Sequence, residues 1–189
     1  MRDQGYWLER LKAWGVLREG HFLLTSGRHS SRFLLFAPAF SLPSAAAELG
    51  QAVAELFERQ DIETVVGPAM GGVILAHEVA RALGVRSIFA EKDGERMALK
   101  RGFTLRAGER VLVVEDAVST GGSVQKVLDI CEKAMQADVR GVGIIADRTG
   151  GKVDLGVPLK ALMTLEIPSY AAEDCPLCRE GRPLERPKS

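Results

Sequence analysis

The chain has 189 residues, 46% apolar and 26% charged, the size and balance of one ordinary globular domain. Its 25 basic and 25 acidic side chains cancel to a formal net charge of zero, which argues against nucleic acid as a partner, because duplex binders carry a basic excess or stripe. No apolar run approaches the ~20 residues that span a bilayer, and MRDQGYWLER carries no signal-peptide core. The expectation is therefore a cytoplasmic protein with no membrane partner. Cys131, Cys175 and Cys178 are too few, and odd in number, for a disulfide framework.

In chain order, residues 6–17 read as a short helix with Tyr6, Leu8, Leu11 and Trp14 on its apolar side. FLLTSGRHSSRFLLF places apolar clusters on either side of the polar Ser26–Ser31 turn, which predicts two short strands or an extended arm. SLPSAAAELGQAVAELFERQ is a helix, with Pro43 near its start and Ala46, Leu49, Val53, Leu56 and Phe57 on one face. The period then changes. IETVVG and VRSIFA read as strands around a helix from about Gly72 to Leu83. Residues 91–108 are charged and poorly periodic. ERVLVVED is highly apolar and predicts a central strand. Ser123 to Met135 reads as a helix with Val124, Val127, Leu128, Cys131 and Met135 inward; DVRGVGIIAD and ALMTLEI follow as strands. Short strands alternating with helices of about three turns predict βαβ units on a mostly parallel sheet, covered on both faces. The tail SYAAEDCPLCREGRPLERPKS, rich in Pro and Gly, is expected to pack loosely or be partly disordered.

Chemistry concentrates in VLVVEDAVSTGGSV, residues 111–124. A strand delivers Glu115 and Asp116 to its carboxyl end, a glycine-rich polar turn follows, and a helix begins. Ligands of open α/β sheets bind at that end, and helix starts offer free N–H groups to anions. Two carboxylates beside a phosphate cradle suit the hydroxyls of an attached sugar or a bridging divalent cation, so the ligand implied is a phosphorylated sugar. The segment is neither a Walker A loop nor a dinucleotide fingerprint. VVGPAMGGVILAHEVA is a second strand-loop-helix, read either as another anion site or as a plain tight turn. Segment 91–104 reads either as a solvated charged loop or as a lid bringing Lys92, Lys100 or Arg101 to developing charge. Arg148, in ADRTGG, lies just past a strand end, where arginine is usually a surface charge. Cys175-Pro-Leu-Cys178 has metal or redox spacing, but one pair gives two ligands. His21, His29 and His77 show no ligand spacing with it, so no protein metal site is assigned.

The string 111–124 resembles the phosphoribosyl pyrophosphate-binding motif of type I phosphoribosyltransferases, and FLLTSGRHSSRF, ADRTGG and the CPLC tail resemble the orotate phosphoribosyltransferases among them. The resemblance covers residue 20 to the tail. It implies the type I fold: a mostly parallel central sheet flanked by helices, with a small hood from residues 1–38 and about 160–189, all in one domain 1–189. It implies that Glu115 and Asp116 hold ribose hydroxyls while Ala117, Val118, Ser119, Thr120, Gly121 and Gly122 cup the 5′-phosphate. Ala69, Gly71 and Gly72 would then face pyrophosphate, and Ser26, Gly27 and Phe33 would border the substrate. Arg148 would pair with the orotate carboxylate through its two-pronged fork. Lys92, then Lys100 and Arg101, would bring positive charge to the leaving pyrophosphate, Arg101 as a substrate contact, and Asp116 would also serve catalysis. Thr25 and Gly71 stand where many members carry lysine. The resemblance implies Mg²⁺ as cofactor, orotate and phosphoribosyl pyrophosphate as substrates, orotidine 5′-phosphate and pyrophosphate as products, and a homodimer. A purine or uracil phosphoribosyltransferase, or a non-catalytic regulator on the same fold, remains an alternative.

Overall fold

The computed structural model describes residues 2–24 and 26–187. Helix α1 (Gln4–Ala13) is capped by Asp3, whose carboxylate accepts from the Tyr6 N–H at 2.8 Å. It starts earlier and stops earlier than the apolar pattern suggests. Gly15 takes a left-handed φ of 71°, the Val16 N–H turns back to the Leu11 carbonyl, and the chain enters a strand at Leu17. Trp7 and Leu11, rather than Tyr6 and Trp14, are the buried residues of the helix.

Strands β1 (Leu17–Leu23) and β2 (His29–Leu34) form the expected hairpin arm. A one-turn helix α2 (Ala37–Phe40) leads into α3 (Pro43–Glu55), which has Pro43 in its first turn. Then β3 (Thr64–Pro68), α4 (Gly71–Leu83), β4 (Arg86–Asp93), β5 (Arg96–Leu99), β6 (Arg110–Val118) and α5 (Gly122–Asp129) follow. A π-helical turn, Ile130–Ala134, continues α5. Strands β7 (Asp138–Asp147), β8 (Leu159–Thr164) and β9 (Ser169–Tyr170), a 3-10 turn and α6 (Pro176–Arg179) complete the chain.

The large sheet has the order β5-β4-β3-β6-β7-β8 and is parallel except at β5. β6 is interior, as its apolar run predicts. One face carries Val65, Leu112, Val114 and Ile145 against Leu49, Val53, Phe57, Leu75 and Val79 of the α3–α4 side. The other carries Val66, Val113 and Ile144 against Val124, Val127, Leu128 and Cys131. Burial of both faces is why these strands read as unbroken apolar runs. No helix among the described residues is long and apolar enough to cross a membrane.

Two segments differ from expectation. Residues 91–99 are not a loop: β4 runs on to Asp93 and pairs antiparallel with β5 through Ala90↔Leu99 to Asp93↔Arg96. β5 is an edge strand, and edge strands carry charges on their solvent side, which hides the strand period. The tail is pinned rather than loose. Ser169 and Tyr170 pair with Ser30 and His29, Glu185 exchanges backbone hydrogen bonds with His21 and Leu23, and Cys175 and Leu177 are buried. Backbone pairing, which composition does not register, orders it.

The order β1-β2-β9 makes a small second sheet. Because β9 directly follows parallel strand β8, this hood hangs at the carboxyl end of the large sheet.

Helices α3 and α4 meet closely at Gly50. A Cβ there would lie 2.4 Å from the Glu78 Cβ and 2.8 Å from its carbonyl carbon. Alanine gains about 1 kcal/mol of helix propensity over glycine, but overpacking against backbone costs about 1–3 kcal/mol. Gly50→Ala is therefore expected to destabilise the protein by up to about 2 kcal/mol in urea unfolding. A gain in stability would show that the helices separate freely.

Candidate active site

The carboxyl ends of β3, β4 and β6 open onto a cleft of about 360 Å³. One wall is the turn after β6, from Ala117 through Ser119, Thr120, Gly121 and Gly122 to Ser123. Gly121 sits at φ 79° before α5, and a Cβ there would collide with Val153 and Leu155 at 2.9 and 3.0 Å. No side chain caps α5, so its first N–H groups face the cleft, where an anion is favoured.

The opposite wall is the turn after β3, Pro68, Ala69 and Gly71. Gly67 and Gly72 approach so closely that a Cβ on Gly67 would lie 2.3 Å from the Gly72 carbonyl oxygen. Glycine at both positions lets the turn fold tightly onto β3. The Ala69–Met70 peptide is cis. Lys92 and Met97, from the β4–β5 hairpin, close the third side.

Glu115 and Asp116 form the floor. Glu115 accepts from the Asp116 N–H at 3.1 Å, and Asp116 accepts from the Ala117 N–H at 2.6 Å. Burial, and then the charge of Asp116, push the Glu115 carboxyl up to about 8. Burial also raises Asp116, partly offset by the Ala117 hydrogen bond and by the Arg148 guanidinium. A Cβ on Gly71 would lie 3.2 Å from Asp116 Oδ2 and 3.4 Å from Glu115 Oε1. Glycine there leaves the space above both acids to a ligand.

Arg148 stands beside this floor, its N–H bonded to the Val118 carbonyl at 2.8 Å. The loop that presents it is held by buried Asp147, which accepts from the Thr149 N–H and hydroxyl, both at 2.7 Å, and from the Gly151 N–H at 2.8 Å. Among the described residues three buried arginine Nε atoms lack a partner, those of Arg10, Arg140 and Arg148. Arg10 and Arg140 each pair with a carboxylate through another nitrogen. Arg148 makes no ion pair among the described residues, and desolvation lowers its pKa. A half-buried guanidinium in that condition favours an incoming anion.

Residues 41–162 match the phosphoribosyl transferase domain family. The chain is 52% identical to the orotate phosphoribosyltransferase of Thermotoga maritima over 96% of each protein. The structure of the Aeropyrum pernix orotate phosphoribosyltransferase superposes with a TM-score of 0.70 at 26% identity, covering 84% of this chain and 93% of that one. The chain belongs to the orotate phosphoribosyltransferase family.

Its fold is the type I phosphoribosyltransferase fold, shared with an adenine phosphoribosyltransferase of Rhodothermus marinus at a TM-score of 0.68 and 22% identity, over 85% and 99% of the two chains. The fold therefore does not choose the base, and side chains must.

Of the residues singled out from sequence, Ala69, Gly71, Lys92 and the run Glu115 to Gly122 line one cleft. Gly72 lies buried beneath it. Lys100, Arg101 and Arg148 do not line it; Arg148 sits behind the wall, near enough to Asp116 for its charge to offset part of the rise in that carboxyl. Lys100 bonds Asp93 at 3.0 Å, and Arg101 makes a two-pronged contact with Glu91 at 2.8 and 2.9 Å. Ser26, Gly27 and Phe33 are also absent from its wall; Phe33 leans on Phe22 at 5.8 Å. Thr25 lies outside the described residues. Sequence reading missed Asp147 and Met97. Asp147 is signalled by an acid just before a Gly-rich turn, the pattern of a carboxylate bonding its own backbone. Met97 has no such signal within its charged surroundings.

The raised Glu115 value has a consequence for stability. The folded protein keeps a proton that the unfolded chain releases between the ordinary 4.5 and about 8. Stability of the ligand-free protein is thus expected to fall as pH rises through that window. Glu115→Gln should flatten most of the fall and raise Tm at its alkaline end. Superimposable Tm–pH profiles for the two proteins would mean that Glu115 ionises normally.

Proposed function

We propose that the chain acts as a single catalytic domain that transfers the phosphoribosyl group of phosphoribosyl pyrophosphate to N1 of orotate. Orotidine 5′-phosphate and pyrophosphate are the products. The observation that carries this reading is Arg148, a half-buried guanidinium beside the acid floor that makes no ion pair among the described residues. Orotate differs from uracil by its C6 carboxylate, and a guanidinium fork matches a carboxylate with two parallel bonds.

In this reading the turn from Ala117 to Ser123 takes the 5′-phosphate on its N–H groups and hydroxyls. Glu115 and Asp116 accept the ribose hydroxyls, and those bonds favour the ionised acids that burial alone disfavours. Pyrophosphate lies against Ala69, Gly71 and the start of α4. The C1′–O bond to pyrophosphate loosens, positive charge spreads over the ribose ring, and orotate N1, having given its proton to solvent, attacks from the opposite face. No enzyme nucleophile is needed. Lys92, the cleft-lining cation of the hairpin, stabilises the departing pyrophosphate. Lys100 and Arg101 would join it only by leaving Asp93 and Glu91.

Mg²⁺ fits the site as a substrate-borne ion. Glu115 and Asp116 on the cleft floor offer oxygen ligands to a cation that keeps waters and binds mainly through substrate phosphates. When bound it neutralises charge on the leaving group. The free thiols support a cytoplasmic setting.

Pyrophosphate release from phosphoribosyl pyrophosphate with Mg²⁺ is expected with orotate and not with uracil, adenine or hypoxanthine. Release with another base, or with none, would refute the assignment. Arg148→Ala should lower kcat/KM for orotate about 100-fold, the loss of a charge-assisted pair worth about 3 kcal/mol. Lys92→Ala should lower kcat more than Lys100→Ala does. Equal activity of wild type and Arg148→Ala would remove the basis for orotate specificity.

We further propose that the enzyme works as a homodimer. Met70 is 84% exposed and Ile74 and Leu42 are over 40% exposed. Met70 and Ile74 border an apolar hollow of about 540 Å³ with Phe36 and Phe40 that shares Gly71 and Asp116 with the site floor. A second copy is its natural cover. Ile74→Glu should halve the mass measured by light scattering; an unchanged dimer would place the interface elsewhere.

A further inference from the structure

The hood contains a second cluster that the transfer reaction does not use. His21 of β1, His29 of β2, Cys175 and Cys178 each turn one ligand atom toward a common point, all four atoms within 4.8 Å of one another. His21 Nε2 lies 3.0 Å from His29 Nδ1, 3.5 Å from Cys175 Sγ and 3.7 Å from Cys178 Sγ, and Cys178 Sγ lies 3.2 Å from His29 Nδ1. Zinc bonds of about 2.0–2.1 Å to nitrogen and about 2.3 Å to sulfur, set tetrahedrally, require N···N near about 3.3 Å and N···S near about 3.6 Å. The N···S separations of 3.2, 3.5 and 3.7 Å bracket the sulfur value, and the N···N separation of 3.0 Å is slightly shorter than the nitrogen one. Both cysteines are free thiols.

Hydrogen bonding alone does not account for the arrangement. His21 Nδ1 lies 2.9 Å from the Arg182 carbonyl oxygen, which accepts only, so Nδ1 carries the proton and Nε2 presents a lone pair. Three groups then converge on that lone pair, and a single proton serves one of them. A cation at the centre serves all four. The Arg182 carbonyl fixes the tautomer and ring orientation, the usual outer contact of a metal-bound imidazole. The fold also makes room for His21. The β1–β2 register slips between Glu19 and Phe22, so two consecutive strand residues, His21 and Phe22, are both buried.

We propose that His21, His29, Cys175 and Cys178 bind one structural Zn²⁺ that fastens the C-terminal tail to the N-terminal hairpin. Two thiolates and two imidazoles in a tetrahedron select zinc among common divalent ions. All four positions are filled by protein, so the site is closed and takes no part in phosphoribosyl transfer. On binding, each thiol gives its proton to solvent and forms an S–Zn bond, so two protons leave per ion. His21 and His29 flank the turn that carries Ser26 and Gly27, so the ion would fix the base of that turn. The inference does not depend on the proposed reaction, and its test reads metal rather than turnover.

Tag-free protein purified under reducing conditions is expected to hold about one zinc per chain by elemental analysis. Cys175→Ser/Cys178→Ser should lose it, whereas His77→Gln, altering an exposed residue of α4, should retain it. In case the double variant does not fold, Co²⁺ loaded into the wild-type apoprotein reads the ligand set directly. Strong tetrahedral d–d bands with a thiolate-to-cobalt charge-transfer band support the site, and a weak octahedral spectrum overturns it. Folded, reduced protein that carries no zinc and takes up neither Zn²⁺ nor Co²⁺ overturns it as well, as does zinc content unchanged in a folded double variant.

Discussion

Two carboxylates side by side at the end of an interior strand set the terms for the rest of this molecule. Glu115 and Asp116 are there because β6 runs between β3 and β7, with both faces covered, and ends at the cleft. Burial that makes β6 rigid also strips water from its last residues, and the Glu115 carboxyl rises to about 8 as a result. An isolated pair in this state is a standing cost to the fold, and such costs collect at functional sites. A ligand bringing hydroxyls, or a cation, converts the cost into affinity, because it supplies the partners that the protein withholds.

The surrounding backbone answers the same constraint. Phosphate cannot be placed against the acids themselves, so it must be held a few ångströms away by neutral N–H groups. That requires two turns with almost no side-chain volume. Gly121 meets the requirement on one side, the Gly67–Gly72 contact on the other, and Gly71 keeps the middle open. A side chain at position 71 would leave its backbone between two carboxylate oxygens, 3.2 and 3.4 Å from its Cβ. In the proposed reaction the positive charge that meets pyrophosphate falls to Lys92 on the hairpin and to a metal carried by the substrate.

How much of this was legible in the sequence depended on the distance over which each signal acts. The βαβ alternation, the centrality of β6 and the acid-glycine turn are local, and residues 111–124 state them within fourteen positions. The β4–β5 hairpin was hidden because an edge strand hydrated on one side shows only a short apolar period; Met97 is buried and Leu99 partly so against the same core. Lys100 and Arg101 matched the composition of a catalytic lid, but composition does not reveal that Asp93 and Glu91 already engage them. The tail was misread for a different reason. Its order comes from β9 pairing with β2 and from backbone bonds of Glu185, interactions that leave no trace in hydropathy.

The same reasoning explains why the histidine–cysteine cluster escapes any test of spacing. Motif rules for metal sites assume that both ligand pairs belong to one short segment. Here His21 and His29 face each other across a hairpin, while Cys175 and Cys178 arrive after the chain has crossed the entire large sheet. The two pairs meet only because the hood is built from both ends of the protein. That construction divides the work of the site. The ribose and phosphate side rests on the central strands, whose packing is over-determined by two cores. The arm side rests on a three-stranded sheet, the smallest that holds by itself, and it does so only with an apolar face or a packing partner. A cross-link between its first hairpin and its last segment is what such a sheet lacks, and the four converging ligand atoms lie where that cross-link would act.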